Sequence, residues 1–219
     1  MKPLVASHTF LDTFERCPKQ AWHRYVAKDL PFVETEQMRW GNRVHTAFER
    51  RLNYRNEPFP EGMEAFEKFA APVAAHTYKY IEEKMGMTLD GRSTGFFDDR
   101  VWCRGKADAA LVNAHTALIL DWKTGKRRED PAELERFAYL LRAMNGALKT
   151  FVGRYVWLKD DKLGDEHRLD PDKRLAADRL LMDQVAELQR RGEPWPAHEN
   201  GLCKAYCDVL SCQFNGRKR

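Results

Sequence analysis

Two aspartates and a lysine, Asp108, Asp121 and Lys123, sit in apolar runs, GKADAALV and TALILDWKT, that otherwise read as strands. Aspartate and lysine are poor strand residues and are rarely buried without partners. Asp121 and Lys123 are two apart, so on a strand they share a face. A hairpin between the runs would bring Asp108 and Asp121 close enough to share one ligand. Paired hard carboxylate oxygens suit Mg²⁺ or Mn²⁺, and the Trp122 backbone carbonyl can add another oxygen. A lysine beside such an ion can hold an attacking water and stabilise charge developing on a phosphate. The competing reading is a set of salt bridges at a sheet edge: Asp121 with Lys123, and Asp108 with Lys106 or Arg104.

The elements that must position these residues follow from apolar period and breakers. SHTFLDTFERCPKQAWHRYV has helical spacing, with Ser7 or Thr9 as cap; Pro18 splits it into a short helix and a second one. QMRWGNRVHTAFERRLN reads as a helix whose stripe is Met38, Val44, Phe48 and Leu52, with Gly41 and His45 one turn apart. A third helix is expected over 61–83, with Phe66, Phe69, Val73 and Ile81 inward. Four strands follow: MGMTLDG, VWCRGKADAALVN, TALILDWKT and TFVGRYVWLK. Between the last two, DPAELERFAYLLRAMNG starts on Asp130-Pro131 and stops at Gly146, a helix able to serve as a crossover. DPDKRLAADRLLMDQVAELQRRG repeats the Asp-Pro start and ends at Gly192. The expected architecture is one α/β domain over 1–219. It has a mainly helical part (1–90), a central mixed sheet flanked by helices that carries the site (84–160), and a C-terminal helix with a cysteine-bearing segment (170–219).

Hydrophobic residues are 43% and charged residues 32%, an ordinary globular balance. No apolar run reaches the length of a membrane span, and MKPLVASHTFLDTF lacks the apolar stretch of a signal peptide, so the expected location is cytoplasmic with no membrane partner. The net charge of +4 is compatible with a nucleic-acid partner without requiring one. TGKRR follows Lys123 at once, so Lys126, Arg127 and Arg128 either meet a phosphate backbone or form a solvated loop. The closing GRKR is open to the same two readings. Five cysteines, an odd number, argue against a disulfide framework. Cys103 stands alone in a strand and reads as core. Cys203, Cys207 and Cys212 cluster, and Cys17 is the candidate for a fourth thiolate.

The order of motifs carries a resemblance. GxxxH (Gly41 to His45), GxxD (Gly105 to Asp108) and DxK (Asp121 to Lys123) occur in sequence, followed by a helix with Tyr139, and the chain opens with a serine-led helix running to Cys-Pro. Together these resemble the PD-(D/E)xK nuclease superfamily, in its RecB-like branch with the iron–sulfur CRISPR adaptation nucleases and phage exonucleases. The resemblance covers nearly the whole chain and implies a restriction-endonuclease-like core. It also implies a Mg²⁺- or Mn²⁺-dependent deoxyribonuclease, most simply an exonuclease acting in DNA processing, recombination or repair. Asp108, Asp121 and His45 are the implied metal ligands and Lys123 the catalytic lysine. On the next helix the branch has a glutamine four residues before the tyrosine. This chain has Glu135 there: Tyr139 is expected to touch DNA or hold Lys123 in place, and Glu135 either pairs with Lys123, Lys126 or a second metal or is simply solvated. The four cysteines imply a [4Fe–4S] cluster, although the middle C-terminal cysteine stands one position later than in that pattern. Zinc, helped by His198, and plain buried thiols are the alternatives. The implied partners are DNA and a recombinase, helicase or CRISPR-type protein. The rival function is a nucleic-acid-binding subunit with this fold and little cleavage.

Overall fold

A computed structural model describes residues 3–53, 57–128, 130–192 and 195–217. Lys218 and Arg219 of the closing GRKR lie outside the described residues. The chain forms two compact units: Met1–Val33 with Ala176–Arg219, and Glu34–Leu175.

The larger unit is built on a seven-stranded sheet. Helices α3 (Glu36–Asn53) and α4 (Glu67–Ala75) precede β1 (Lys79–Thr88), β2 (Ser93–Thr94), β3 (Val101–Asn113) and β4 (Thr116–Lys123). Then come α5 (Ala132–Met144), β5 (Thr150–Trp157), β6 (Lys162–Leu163) and β7 (His167–Arg168). The strand order is β2-β1-β3-β4-β5-β6, with β7 also on β5. All pairings are antiparallel except β4 with β5, which are parallel. The parallel pair is joined through α5, the crossover that such a pair needs. This is the α/β, mixed-sheet core that the sequence predicts.

The two faces of the sheet are covered differently. Val44, Phe48 and Leu52 of α3 and Ala70 and Val73 of α4 pack on Ala109, Leu120, Trp122 and Val156. The Phe48 and Trp122 rings stack at 4.3 Å, a contact worth about 1 kcal/mol beyond its buried area. On the other face α5 comes very close to the strands. A Cβ on Gly105 would lie 3.0 Å from Leu140 Cδ1, and one on Gly153 would lie 2.9 Å from Leu134 Cδ1.

The helix expected over 61–83 is shorter. A 3-10 turn, Glu64–Phe66, leads into α4, which stops at Ala75, and β1 starts at Lys79. Ile81 is therefore a strand residue. The aromatic residues Tyr78 and Tyr80 and branched Ile81 favour a pleated, half-covered surface over a helix.

In the smaller unit α1 (His8–Arg16) has Ser7 as N-cap, its hydroxyl accepting from the Phe10 N–H at 3.3 Å. Cys17 interrupts it, α2 (Pro18–Ala21) starts on its proline, and Trp22–Ala27 winds on as a π-helix. The Phe14 ring meets Trp195 edge-on at 5.8 Å, and the Lys19 N–H donates to Pro196 O at 2.9 Å, so the C-terminal segment packs on these helices. The long helix α6 covers Pro171–Arg191, and Gly192, at φ +80°, follows its end as a left-handed stop. Among the described residues no helix is long and apolar enough to cross a membrane.

Candidate active site

The site forms where β3 and β4 stop pairing. Their ladder runs from Asn113↔Thr116 to Ala109↔Leu120. The next residues along, Asp108 and Asp121, are buried at 5% and 4% exposure. The Asp108 side chain takes the place of the missing ladder bond: the Trp122 N–H donates to its Oδ2 at 2.7 Å. Its other oxygen, Oδ1, lies 3.0 Å from His45 Nδ1. His45 is presented by α3, whose buried stripe of Val44, Ala47 and Phe48 fixes the helix on the sheet.

A third acid completes this group. Glu82 lies opposite Asp108 in the β1–β3 register, flanked by the pairs Ile81↔Ala109 and Glu83↔Ala107. Its φ is +51°, a left-handed conformation that costs a non-glycine residue and recurs at functional positions. Glu82 Oε1 is 3.4 Å from His45 Nδ1, and its other oxygen is paired with Lys106. One ligand atom from each of His45, Glu82 and Asp108 lies within 4.8 Å of the other two.

Burial and neighbours set the charges. Burial alone would lower the His45 pKa, but Asp108 and Glu82 more than offset it and push the ring up to about 10. Burial raises the Asp108 and Asp121 carboxyls. Burial works the same way on Glu82, yet His45 and Lys106 hold it below its ordinary value. The imidazole thus sits among carboxyl groups that would otherwise repel each other, and a metal ion bound there would take the place of its proton.

Lys123 faces this group from β4. Its Nζ is 2.7 Å from Asp121 Oδ2 and 2.7 Å from Glu133 Oε2, and it lies 5.4 Å from the centre of the Tyr155 ring. Burial opposes its charge, but Asp121 and Glu133 raise its pKa above the ordinary lysine value. The Tyr155 hydroxyl donates to the Asp130 carbonyl at 2.5 Å, which ties β5 to the start of α5.

The structure therefore brings His45, Asp108, Asp121, Trp122 and Lys123 together. The salt-bridge reading is half present: Asp121 does pair with Lys123, whereas Asp108 meets His45 and Lys106 meets Glu82. Two expectations on α5 are corrected. Glu135 points away from Lys123, taking the Asp170 backbone N–H with Arg174 nearby, and burial raises its pKa. Glu133, half a turn earlier, is the acid at the lysine. Tyr139 is 1% exposed with its hydroxyl 3.0 Å from Cys103 Sγ, so it packs between α5 and β3 and presents nothing to DNA. Cys103 is core, as expected. Lys126, Arg127 and Arg128 are exposed on the loop after β4; Arg127 lies 4.0 Å from Asp165 and Arg128 3.4 Å from Asp130. Glu82 and Glu133 are the residues that sequence reasoning missed. The only available signal was a glutamate in each flanking element, since a backbone inversion at Glu82 leaves no mark in an apolar pattern.

In the smaller unit Cys17, Cys203, Cys207 and Cys212 are all buried, all reduced, and line one cavity with Lys19, Gln20, Asn200 and Leu202. Burial, then the neighbouring thiols, raises the Cys207 pKa. Among the described residues no three of these sulfurs lie within 4.8 Å of one another. A single tetrahedral zinc ion would hold its sulfurs closer, at roughly 3.8 Å for 2.3 Å bonds. The His198 carbonyl lies 3.9 Å from Cys203 Sγ.

No model of a known protein family matches the chain, and no curated protein matches it in sequence. Among solved structures, that of SSO0001 is similar, with a TM-score of 0.53 at 17% identity over 96% of this chain and 87% of that one. At that identity the likeness shows the fold alone.

Proposed function

We propose that the protein is a divalent-metal-dependent deoxyribonuclease. The observation that carries this reading is the convergence of His45, Glu82 and Asp108 on one point beside the buried Asp121–Lys123 pair. One imidazole and several carboxylates are the donor set that suits Mn²⁺ or Mg²⁺. His45, Glu82, Asp108 and Asp121 would hold the ion, with the Trp122 carbonyl as a further oxygen. When bound, such an ion acidifies a ligand water and offsets negative charge on a phosphate.

The chain's own residues supply the rest. Lys123, held between Asp121 and Glu133, keeps its proton, so it serves as a fixed cation and hydrogen-bond donor rather than a base. It positions the attacking water and stabilises charge on the phosphate oxygens. The Trp122 N–H fixes the Asp108 carboxylate, and Glu133 fixes the lysine, so the first-contact groups are held before substrate arrives. The exposed Lys126, Arg127 and Arg128 can meet the phosphate backbone, where contacts give affinity without sequence reading.

In the smaller unit the [4Fe–4S] reading is supported by four free, buried thiols that line one cavity.

The test is digestion of linear DNA with Mn²⁺. Wild-type protein should digest it, while Asp121→Asn and Lys123→Ala should lose at least roughly 100-fold in rate and keep the wild-type circular dichroism spectrum. Wild-type activity in either variant removes the assignment. DNA binding without any digestion by wild-type protein favours the rival reading, a nucleic-acid-binding subunit.

A further inference from the structure

The edge of the sheet beside the site has features that metal binding does not use. Cys103 and Gly105 face α5, through Tyr139 and through Phe137 and Leu140. Alternation along β3 therefore turns Arg104 and Lys106 to the opposite face. On β1, Lys84 stands directly across from Lys106, and Gly86 across from Arg104. Lys84 and Lys106 are both exposed. Like charges directly opposite each other in a sheet destabilise it. Glu82 pairs with Lys106, and Asp108 and Glu49 also act on that lysine, while Lys84 stands exposed beside it.

Beyond the lysines the charge is joined to aromatic surface. The Arg104 guanidinium lies 4.9 Å from the centre of the Phe96 ring and 5.8 Å from that of Phe97. The two rings meet at 4.9 Å and 76°. Phe97 is 77% exposed, an unusual position for a large apolar ring. Gly86 is what lets this loop reach over the sheet: a Cβ there would lie 2.8 Å from the Thr94 and Gly95 carbonyl oxygens. The nearby Asp98 is occupied by Arg100, at 3.1 Å and 3.0 Å, and so does not cancel Arg104.

We propose that Lys84, Lys106, Arg104 and Phe97 form a track for a single strand of DNA leading to the metal-binding group, an inference that rests on the nuclease reading above. From Asp108 back to Arg104 is four residues of strand, about 13 Å at ~3.3 Å each. Cations along that length meet successive phosphates. The open face of Phe97 takes an unpaired base, whose ring is free to stack; bases inside a duplex are already stacked on both faces. The sheet's own register thus runs from metal group to lysine pair to stacking ring.

The experiment is fluorescence anisotropy in EDTA, with a labelled oligo-dT and a blunt duplex of equal length. Phe97→Ala should weaken binding of the single strand roughly 5- to 100-fold, leave the duplex within about twofold, and be rescued by Phe97→Trp. Lys84→Ala should lower the single-strand salt slope by about 0.7. Thermal melts of the variants should match wild type, because both side chains are exposed. Unchanged single-strand affinity in Phe97→Ala, or equal loss for strand and duplex, overturns the track while Mn²⁺-dependent digestion by wild-type protein still upholds the nuclease reading. Wild-type protein that neither binds nor digests DNA overturns both.

Discussion

Two glutamates on one helix show how finely the site depends on where a side chain points. Glu133 and Glu135 are two apart on α5, about 200° around the helix axis. Glu133 therefore reaches Lys123 at 2.7 Å while Glu135 turns to the Asp170 backbone. Lys123 already has Asp121 as a partner, so Glu133 fixes where its ammonium sits. Glu133→Gln should lower the Mn²⁺-dependent digestion rate roughly 10-fold, the usual cost of losing a partner that orients a site residue. Glu135→Gln should digest DNA at the wild-type rate. Comparing the two rates checks the assignment; a larger loss in the Glu135 variant would reverse it. Sequence spacing could show that Glu135 and Tyr139 share a helical face. It could not show that this face packs into the core, with Tyr139 on Cys103.

At the scale of elements, β3, β4, β5, the second half of β1 and α5 were legible because each carries a local signal: runs of branched and aromatic residues bounded by breakers, and an Asp-Pro start; the two-residue strands β2, β6 and β7 are too short to carry one. The helix starts one residue later than expected, with Pro131 at its N-cap, while Asp130 Oδ1 accepts from the Ala132 N–H at 3.1 Å just before it. The end of α4 was not legible, since the apolar residues after it fit a helical stripe as well as a strand. Nor was the inversion at Glu82, which depends on β1 and β3 meeting across a distance in sequence. The motif glycines also separate here. Gly105 lies where α5 presses on β3, so Gly105→Val must displace Phe137 and Leu140 and should cost about 1–3 kcal/mol by urea denaturation. Gly41 is different: a Cβ there would meet Thr124 Oγ1 at 3.4 Å, close to ordinary contact. Gly41→Ala should stay within about 1 kcal/mol of wild type, helped by alanine's better helix propensity. A Gly105→Val protein as stable as wild type would mean that the helix does not need this close approach.

At the scale of the whole chain, the proposed function places two ligand sets of different chemistry on separate units. Hard oxygens and one imidazole come from 34–175, and four thiols come from 1–33 and 176–219. Soft thiolates and hard carboxylates select different metals, so on that reading neither set would compete for the other's ion. The cysteine set joins Cys17 to residues near the other end of the chain. Ligation there would close a loop of nearly the full sequence, and that constraint acts on the unfolded state. Protein purified without oxygen should be brown and contain iron, and Cys17→Ser or Cys203→Ser should lose both colour and iron. The same variants should bind Mn²⁺ at the carboxylate group within about twofold of wild type, as expected for sites with no shared ligand. Colourless wild-type protein containing zinc would reassign the thiols to a single ion. Loss of Mn²⁺ binding in a cysteine variant that keeps its circular dichroism spectrum would show the two sites to be coupled.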